Sequence, residues 1–149
     1  MKKIRIRPIE KTDVESLYII DQVCFPPEIA YAKEYFEDLL KVKNIEGLAL
    51  EKEGNMIGFI LTVYDDNLAE IVTIDILPEY RKKGYGSLLM KNIEEFSSNK
   101  GIDSIFLQVA DSNLTAIKFY KELNYEIINE IPDYYPDGTK AFLMSKKIK

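Results

Sequence analysis

Histidine is absent from this chain of 149 residues, which excludes the usual zinc sites and any Ser-His or Cys-His nucleophile pair. Cysteine occurs once, as Cys24, so no intramolecular disulfide can form. No apolar run approaches the ~18 residues needed to span a bilayer, and Met1-Lys2-Lys3-Ile4-Arg5 returns to charge too soon for a signal peptide. The expectation is a cytoplasmic protein with no membrane partner. Repeats, low-complexity tracts and linkers are missing too, and 46% hydrophobic content fits one globular domain over residues 1–149 with no room for a second. A net charge of −5 argues against a general nucleic-acid binder and is compatible with a cationic substrate. Carboxylates, tyrosines, amides and backbone are left to carry any chemistry, and no metal is expected.

The chain alternates strand and helix signals. Ile4, Ile6 and Pro8-Ile9 read as a strand, and Thr12-Asp13-Val14-Glu15 as a capping box for a helix running toward Phe25. Pro26-Pro27 stops that helix, and a second begins near Ala32 with Tyr35, Phe36, Leu39 and Leu40 at helical spacing. Leu48 to Glu51, the turn Glu53-Gly54-Asn55 and Met56 to Tyr64 form a hairpin, followed by a strand from Leu68 to Leu77. After Pro78, Arg81 to Gly86 leads into a helix with Leu89, Ile93 and Phe96 inward, closed by Lys100-Gly101. Then come a strand from Ile105 to Val109, a helix capped by Asn113, a strand from Tyr125 to Ile131 and a last one from Ala141 to Ser145. This order predicts an α/β fold with a mixed sheet and not a doubly wound parallel one.

The richest segment is Arg81-Lys82-Lys83-Gly84-Tyr85-Gly86-Ser87, where three cations and two glycines precede an amphipathic helix. Glycines let backbone amides converge on an anion, and the first amides of a helix add donors and partial positive charge. A pyrophosphate suits such a cradle. A basic surface turn ahead of a helix has the same composition, and the loop alone does not separate the two readings. No G-x-x-x-x-G-K-[ST] loop occurs, and Gly84-Tyr85-Gly86 lacks the third glycine and the position of a dinucleotide fingerprint.

With Arg81, Gly84 and Gly86 as R-x-x-G-x-G between a strand and a helix, the chain resembles the GNAT superfamily of N-acetyltransferases. Asn113, Ala116 and Tyr120 match its asparagine-A-x-x-x-Y pattern, and Asn124-Tyr125 stands where the family has Gly-Phe. Within that superfamily it is most similar to N-terminal acetyltransferases of the ribosomal-protein-modifying and archaeal types, through Phe25-Pro26 with Tyr31 and through Tyr134-Tyr135-Pro136-Asp137-Gly138. The resemblance implies a three-layer α/β/α fold around a mostly antiparallel sheet, ordered β-α-α-β-β-β-α-β-α-β-β. It implies acetyl-CoA as cofactor, held by Ile74, Asp75, Ile76, Arg81, Lys82, Lys83, Gly84, Tyr85, Gly86, Ser87, Asn113, Ala116 and Phe119. It also implies an amine acceptor against Phe25, Pro26, Tyr31, Gln108, Tyr134 and Tyr135, in a monomer or homodimer.

Acetyl transfer needs a neutral amine, a polarised carbonyl and a proton for the thiolate. At pH 7 an α-amine is roughly one-tenth neutral and a lysine about four in ten thousand, so an α-amine needs only a modest base. Glu70, eleven residues before Arg81 on the cofactor strand, is the candidate base, acting through a water; an exposed strand-end carboxylate is its ordinary alternative. Asp75 sits at an odd spacing from Glu70, which turns it to the opposite face of a regular strand. Gln108 occupies a position where the similar enzymes carry Glu or His, and it cannot take a proton. Tyr120 is the candidate acid, with a core tyrosine as its alternative, and a backbone amide near Ile76 is the candidate carbonyl donor if the strand splays there. Cys24 reads as a small buried side chain. Three functions stay open: acetylation of a protein or peptide N-terminus, acetylation of a small amine, polyamine or lysine, and a non-catalytic acyl-CoA-binding module.

Overall fold

The computed structural model describes residues 3–149. In chain order the elements are β1 (Ile4–Pro8), a 3-10 turn (Lys11–Asp13), α1 (Val14–Cys24), α2 (Lys33–Leu39), β2 (Ile45–Lys52), β3 (Asn55–Asp65) and β4 (Leu68–Ile76). A second 3-10 turn (Pro78–Tyr80) leads to α3 (Tyr85–Asn99), β5 (Ser104–Ala110), α4 (Leu114–Glu122), β6 (Glu126–Ile131) and β7 (Ala141–Lys147). The strands form one sheet in the order β1-β2-β3-β4-β5-β7-β6. Every neighbour pair is antiparallel except β4 with β5.

Helices cover both faces, because alternate residues of the strands are apolar on each. Leu17 and Ile20 of α1 and Phe36 and Leu39 of α2 pack on Phe59 and Leu61 of β3. On the other face Leu89, Met90 and Ile93 of α3 and Ile117 and Tyr120 of α4 meet Ile60, Ile71, Ile105, Leu107 and Met144. The architecture is the three-layer mixed α/β arrangement expected from the sequence. No helix among the described residues is long and apolar enough to cross a membrane.

Local signals explain most boundaries. The β2-β3 hairpin turns through Glu53 and Gly54, both at positive φ, which suits a right-twisted two-residue turn. Asn113 caps α4 by accepting the Ala116 amide at 3.1 Å, and Asn124 after α4 adopts the left-handed conformation, φ 73, which asparagine tolerates.

Three expectations are corrected. Thr12 is not a cap: Asp13 accepts the Glu10 amide at 2.7 Å and closes the 3-10 turn ahead of α1, held there by two 2.9 Å bonds from Arg7. Phe96 does not face the core but lies 38% exposed on Tyr64, because Leu89, Ile93 and Ser97 already occupy the inward stripe of α3. Asp75 is not turned away from the Glu70 face. Thr62 pairs with Ile71 and Leu61 with Thr73, so Val72 is an extra residue and the alternation resets around it. Val72 packs with the α1/α2 cluster, Ile71, Ile74 and Ile76 pack on the α3/α4 side, and Asp75 meets Asp21 of α1.

Candidate active site

Strands β4 and β5 pair only from Leu68 to Glu70 against Ser104 to Phe106, then part. β5 continues along β7 while β4 stays with β3, and the gap between them opens a cleft of about 750 Å³. Ile71 to Ile76 line it from β4 and Leu107 to Ala110 from β5, with residues of the Arg81–Ser87 region and α4 and with Phe25, Ile29, Tyr31, Tyr134 and Tyr135 completing the lining.

On β4 the Leu77 amide donates to Ile57 on the β3 side at 2.9 Å, whereas the Ile76 carbonyl on the opposite side accepts from Arg81 Nε at 2.8 Å and Cys24 Sγ at 3.3 Å. Backbone direction alternates along a strand, so the amides of Ile76 and Ile74 face the cleft. These are donors aimed where a carbonyl oxygen can sit. Arg81 is therefore a brace for the strand end through its Nε as well as a cation beside the cradle.

Beyond that strand end, Gly84 caps α3 with φ 85, and the first intrahelical amide bond runs from Leu88 to Gly84 at 3.0 Å. The amides of Tyr85, Gly86 and Ser87 thus have no acceptor within the helix and point out of its start. A Cβ on Gly86 would lie 3.1 Å from Phe119 Cζ, so the glycine lets α3 pack directly on α4. Lys82, in the left-handed region at φ 61, lines the cleft, as does Lys118 of α4. The converging amides and two cations fit a pyrophosphate.

The predicted residues sort as follows. Ile74, Asp75, Ile76, Arg81, Lys82, Gly84, Tyr85, Gly86, Ser87, Asn113, Ala116, Phe119 and Tyr120 line the cleft, with Phe25, Tyr31, Gln108, Tyr134 and Tyr135. Lys83 and Pro26 are exposed and lie outside its wall. Glu70 is also off the wall and half-buried, with the side chain of the cleft-lining Gln108 beside it. Burial raises the Glu70 carboxyl above the ordinary range, while Gln108 pulls it back. Tyr120 is 8% exposed, its ring set against Phe119 and Tyr125, and its hydroxyl has no hydrogen-bond partner among the described residues. Burial pushes its pKa well up, so it stays protonated at neutral pH.

Sequence reasoning missed Cys24, which is half-buried on the cleft wall, its thiol pushed up to about 11 by burial and by Asp75. A thiol so raised is a poor nucleophile at neutral pH. Lys118 and Ile29 were also missed; an exposed lysine on a helix carries no local mark of what stands opposite.

The sequence matches the acetyltransferase (GNAT) family over residues 14–125. It is 28% identical to an N-alpha-acetyltransferase of Sulfurisphaera tokodaii over 97% of this chain and 93% of that one. Its structure is similar to the ribosomal-protein-S18-alanine N-acetyltransferase of Escherichia coli, with a TM-score of 0.90 and 25% identity over 99% of this chain and 95% of that one. It is also similar to PaiA N-acetyltransferase of Thermoplasma acidophilum, solved in complex with coenzyme A, with a TM-score of 0.76 and 25% identity over 97% and 99%. With splayed strands, an amide-lined helix start and a family match covering most of its length, this chain belongs to the acetyltransferase (GNAT) family.

Proposed function

We propose that this acetyl-CoA-dependent N-acetyltransferase acts on the N-terminal α-amine of a protein or peptide. The observation that carries the reading is the aromatic part of the cleft lining. Phe25, Ile29, Tyr31, Tyr134 and Tyr135 contribute to that lining, and the only acids among the cleft-lining residues are Asp75, which is buried, and Glu122. A polyamine needs several carboxylates to replace its water, whereas a single amine at the end of a peptide needs aromatic walls and one base. The names of the Sulfurisphaera and Escherichia coli relatives support the same acceptor class.

Bound acetyl-CoA supplies an acetyl carbonyl activated as a thioester. The amides of Tyr85, Gly86 and Ser87, with Lys82, would hold the pyrophosphate, and Asn113 with the α4 face would flank the pantetheine arm. The amides of Ile74 and Ile76 stabilise negative charge on the carbonyl oxygen as the amine nitrogen bonds to carbon. Glu70 takes the proton shed by that nitrogen through a water oriented by Gln108. Tyr120 gives its phenolic proton to the sulfur as the carbon–sulfur bond breaks.

The test is mass-spectrometric acceptor profiling with isotope-labelled acetyl-CoA, offering peptides with free and blocked N-termini, lysine peptides and polyamines together. Label on α-amines is expected. Label confined to polyamines or lysine side chains would refute the acceptor assignment.

A further inference from the structure

Two buried carboxyl groups beside the cleft take no part in this chemistry. Asp21 of α1 is fully buried and Asp75 of β4 is 1% exposed. One oxygen of each has a donor: Asp21 Oδ2 accepts the Tyr31 amide at 2.8 Å, and Asp75 Oδ1 accepts the Thr73 hydroxyl at 2.5 Å. The other two, Asp21 Oδ1 and Asp75 Oδ2, are buried with no hydrogen-bond partner, and the two carboxyl groups are neighbours. Two carboxylates in contact and out of water repel, and each orphan oxygen would lack a donor. One proton resolves both defects, because a protonated Asp75 Oδ2 donates to Asp21 Oδ1.

We propose that Asp21 and Asp75 share a single proton, and that this hydrogen bond is a positioning clamp joining the acceptor wall on the α1 side to the cleft-facing amides of β4. Its location gives the clamp leverage. Asp21 holds the backbone of Tyr31, whose ring stacks on Tyr35 at 4.2 Å. Asp75 lies between Ile74 and Ile76, whose amides face the cleft. The β4 bulge makes the contact, since uninterrupted alternation would send Asp75 to the α3/α4 side.

The groups facing the pair are consistent with one retained proton. They are Cys24 from α1, Tyr31 from the loop after it, Thr73 from β4, Arg81 beyond β4 and Tyr120 from α4. Arg81 is the one cation among them and favours the ionised form, while burial and the neighbouring Asp21 push Asp75 well above the ordinary carboxyl range. Arg81 Nε is already engaged by the Ile76 carbonyl.

The kinetic consequence rests on the acetyl-transfer reading, and the protonation does not. Carboxyl-carbon NMR of the full chain with labelled aspartate tests the proton directly. The Asp75 signal, assigned by its disappearance in Asp75→Asn, is expected to stay protonated at neutral pH; ordinary titration of both carboxyls overturns the proposal whatever the acceptor. The positioning role is read by kinetics. Asp21→Ala is expected to lower kcat on the order of ten-fold, as misplacement of reacting groups does, with a smaller change in KM for acetyl-CoA. Asp21→Asn should restore most of that loss, since its amide donates to Asp75 and its oxygen still accepts the Tyr31 amide. An Asp21→Ala enzyme that loses thermal stability with kcat unchanged, or an Asn variant as impaired as the Ala one, refutes the clamp. Failure to transfer acetyl to any amine would instead sink the function proposed above.

Discussion

Replacing Tyr120 by phenylalanine removes one oxygen from a side chain whose packing and chemistry separate cleanly. The ring is fixed by Phe119 at 5.2 Å and Tyr125 at 6.1 Å between centroids, and phenylalanine keeps both contacts. The hydroxyl gives up no protein hydrogen bond among the described residues, so stability should change by less than about 0.5 kcal/mol, as for substitutions that break no named interaction. The catalytic cost differs. A positioned general acid contributes about 10²–10⁴-fold, and a thiolate of pKa about 8.5 leaves fairly readily without a proton, which places the loss near the low end. A fall of about 10²-fold in kcat, equivalent to about 2.7 kcal/mol, is expected. The assay is thiol release with saturating acetyl-CoA and peptide, beside coenzyme A affinity by calorimetry and a thermal melt. A kcat within two-fold of wild type with the same melting temperature would make Tyr120 a packing residue. A parallel loss of coenzyme A affinity would mean that the hydroxyl binds the cofactor and does not supply the proton.

Glu70→Gln should lower kcat/KM for an α-amine by about 10²-fold at pH 7, and the deficit should shrink toward pH 9 as the amine deprotonates unaided, measured as a pH-rate profile of both enzymes. Because burial raises the Glu70 carboxyl, the wild-type acid limb should lie above its ordinary value of 4.5. Gly84→Ala puts a Cβ at φ 85 with no atom within 4 Å of it, so its cost is backbone strain of about 1–2 kcal/mol, read as a fall of a few degrees in melting temperature together with weaker coenzyme A binding. Asp13 is held by Arg7 below its ordinary 3.8, so its contribution is complete above that value and disappears as pH falls through the lowered one. Asp13→Asn should therefore destabilise the protein at pH 7 and much less at pH 2, measured by urea denaturation at both.

Much of the fold was legible along the chain because its determinants are local. The Glu53-Gly54 turn, the Pro26-Pro27 stop, the Asn113 cap and the glycines before α3 each act within a few residues, so the order of strands and helices could be read from them. The same holds for the amide cradle, where the anion site is the start of a helix and its loop. Phe96 was misplaced because helical spacing marks a stripe wider than the face that is buried, and Ser97 takes the inward position by bonding Tyr64 at 3.1 Å.

The side of the sheet to which Asp75 points, the opening between β4 and β5, and the meeting of Asp75 with Asp21 had no local signature. A bulge exists only as a mismatch between two paired strands, and Val72 becomes the extra residue because β3 supplies one partner fewer. A splay exists only as the parting of two strands that each keep another partner, β4 along β3 and β5 along β7, a strand contributed by residues 141–147. The single sequence thus determined which groups are available for acetyl transfer and in what order they arrive. Tertiary structure decided which of them share a cleft, since strand pairing between distant segments sets the direction of every side chain and amide on β4.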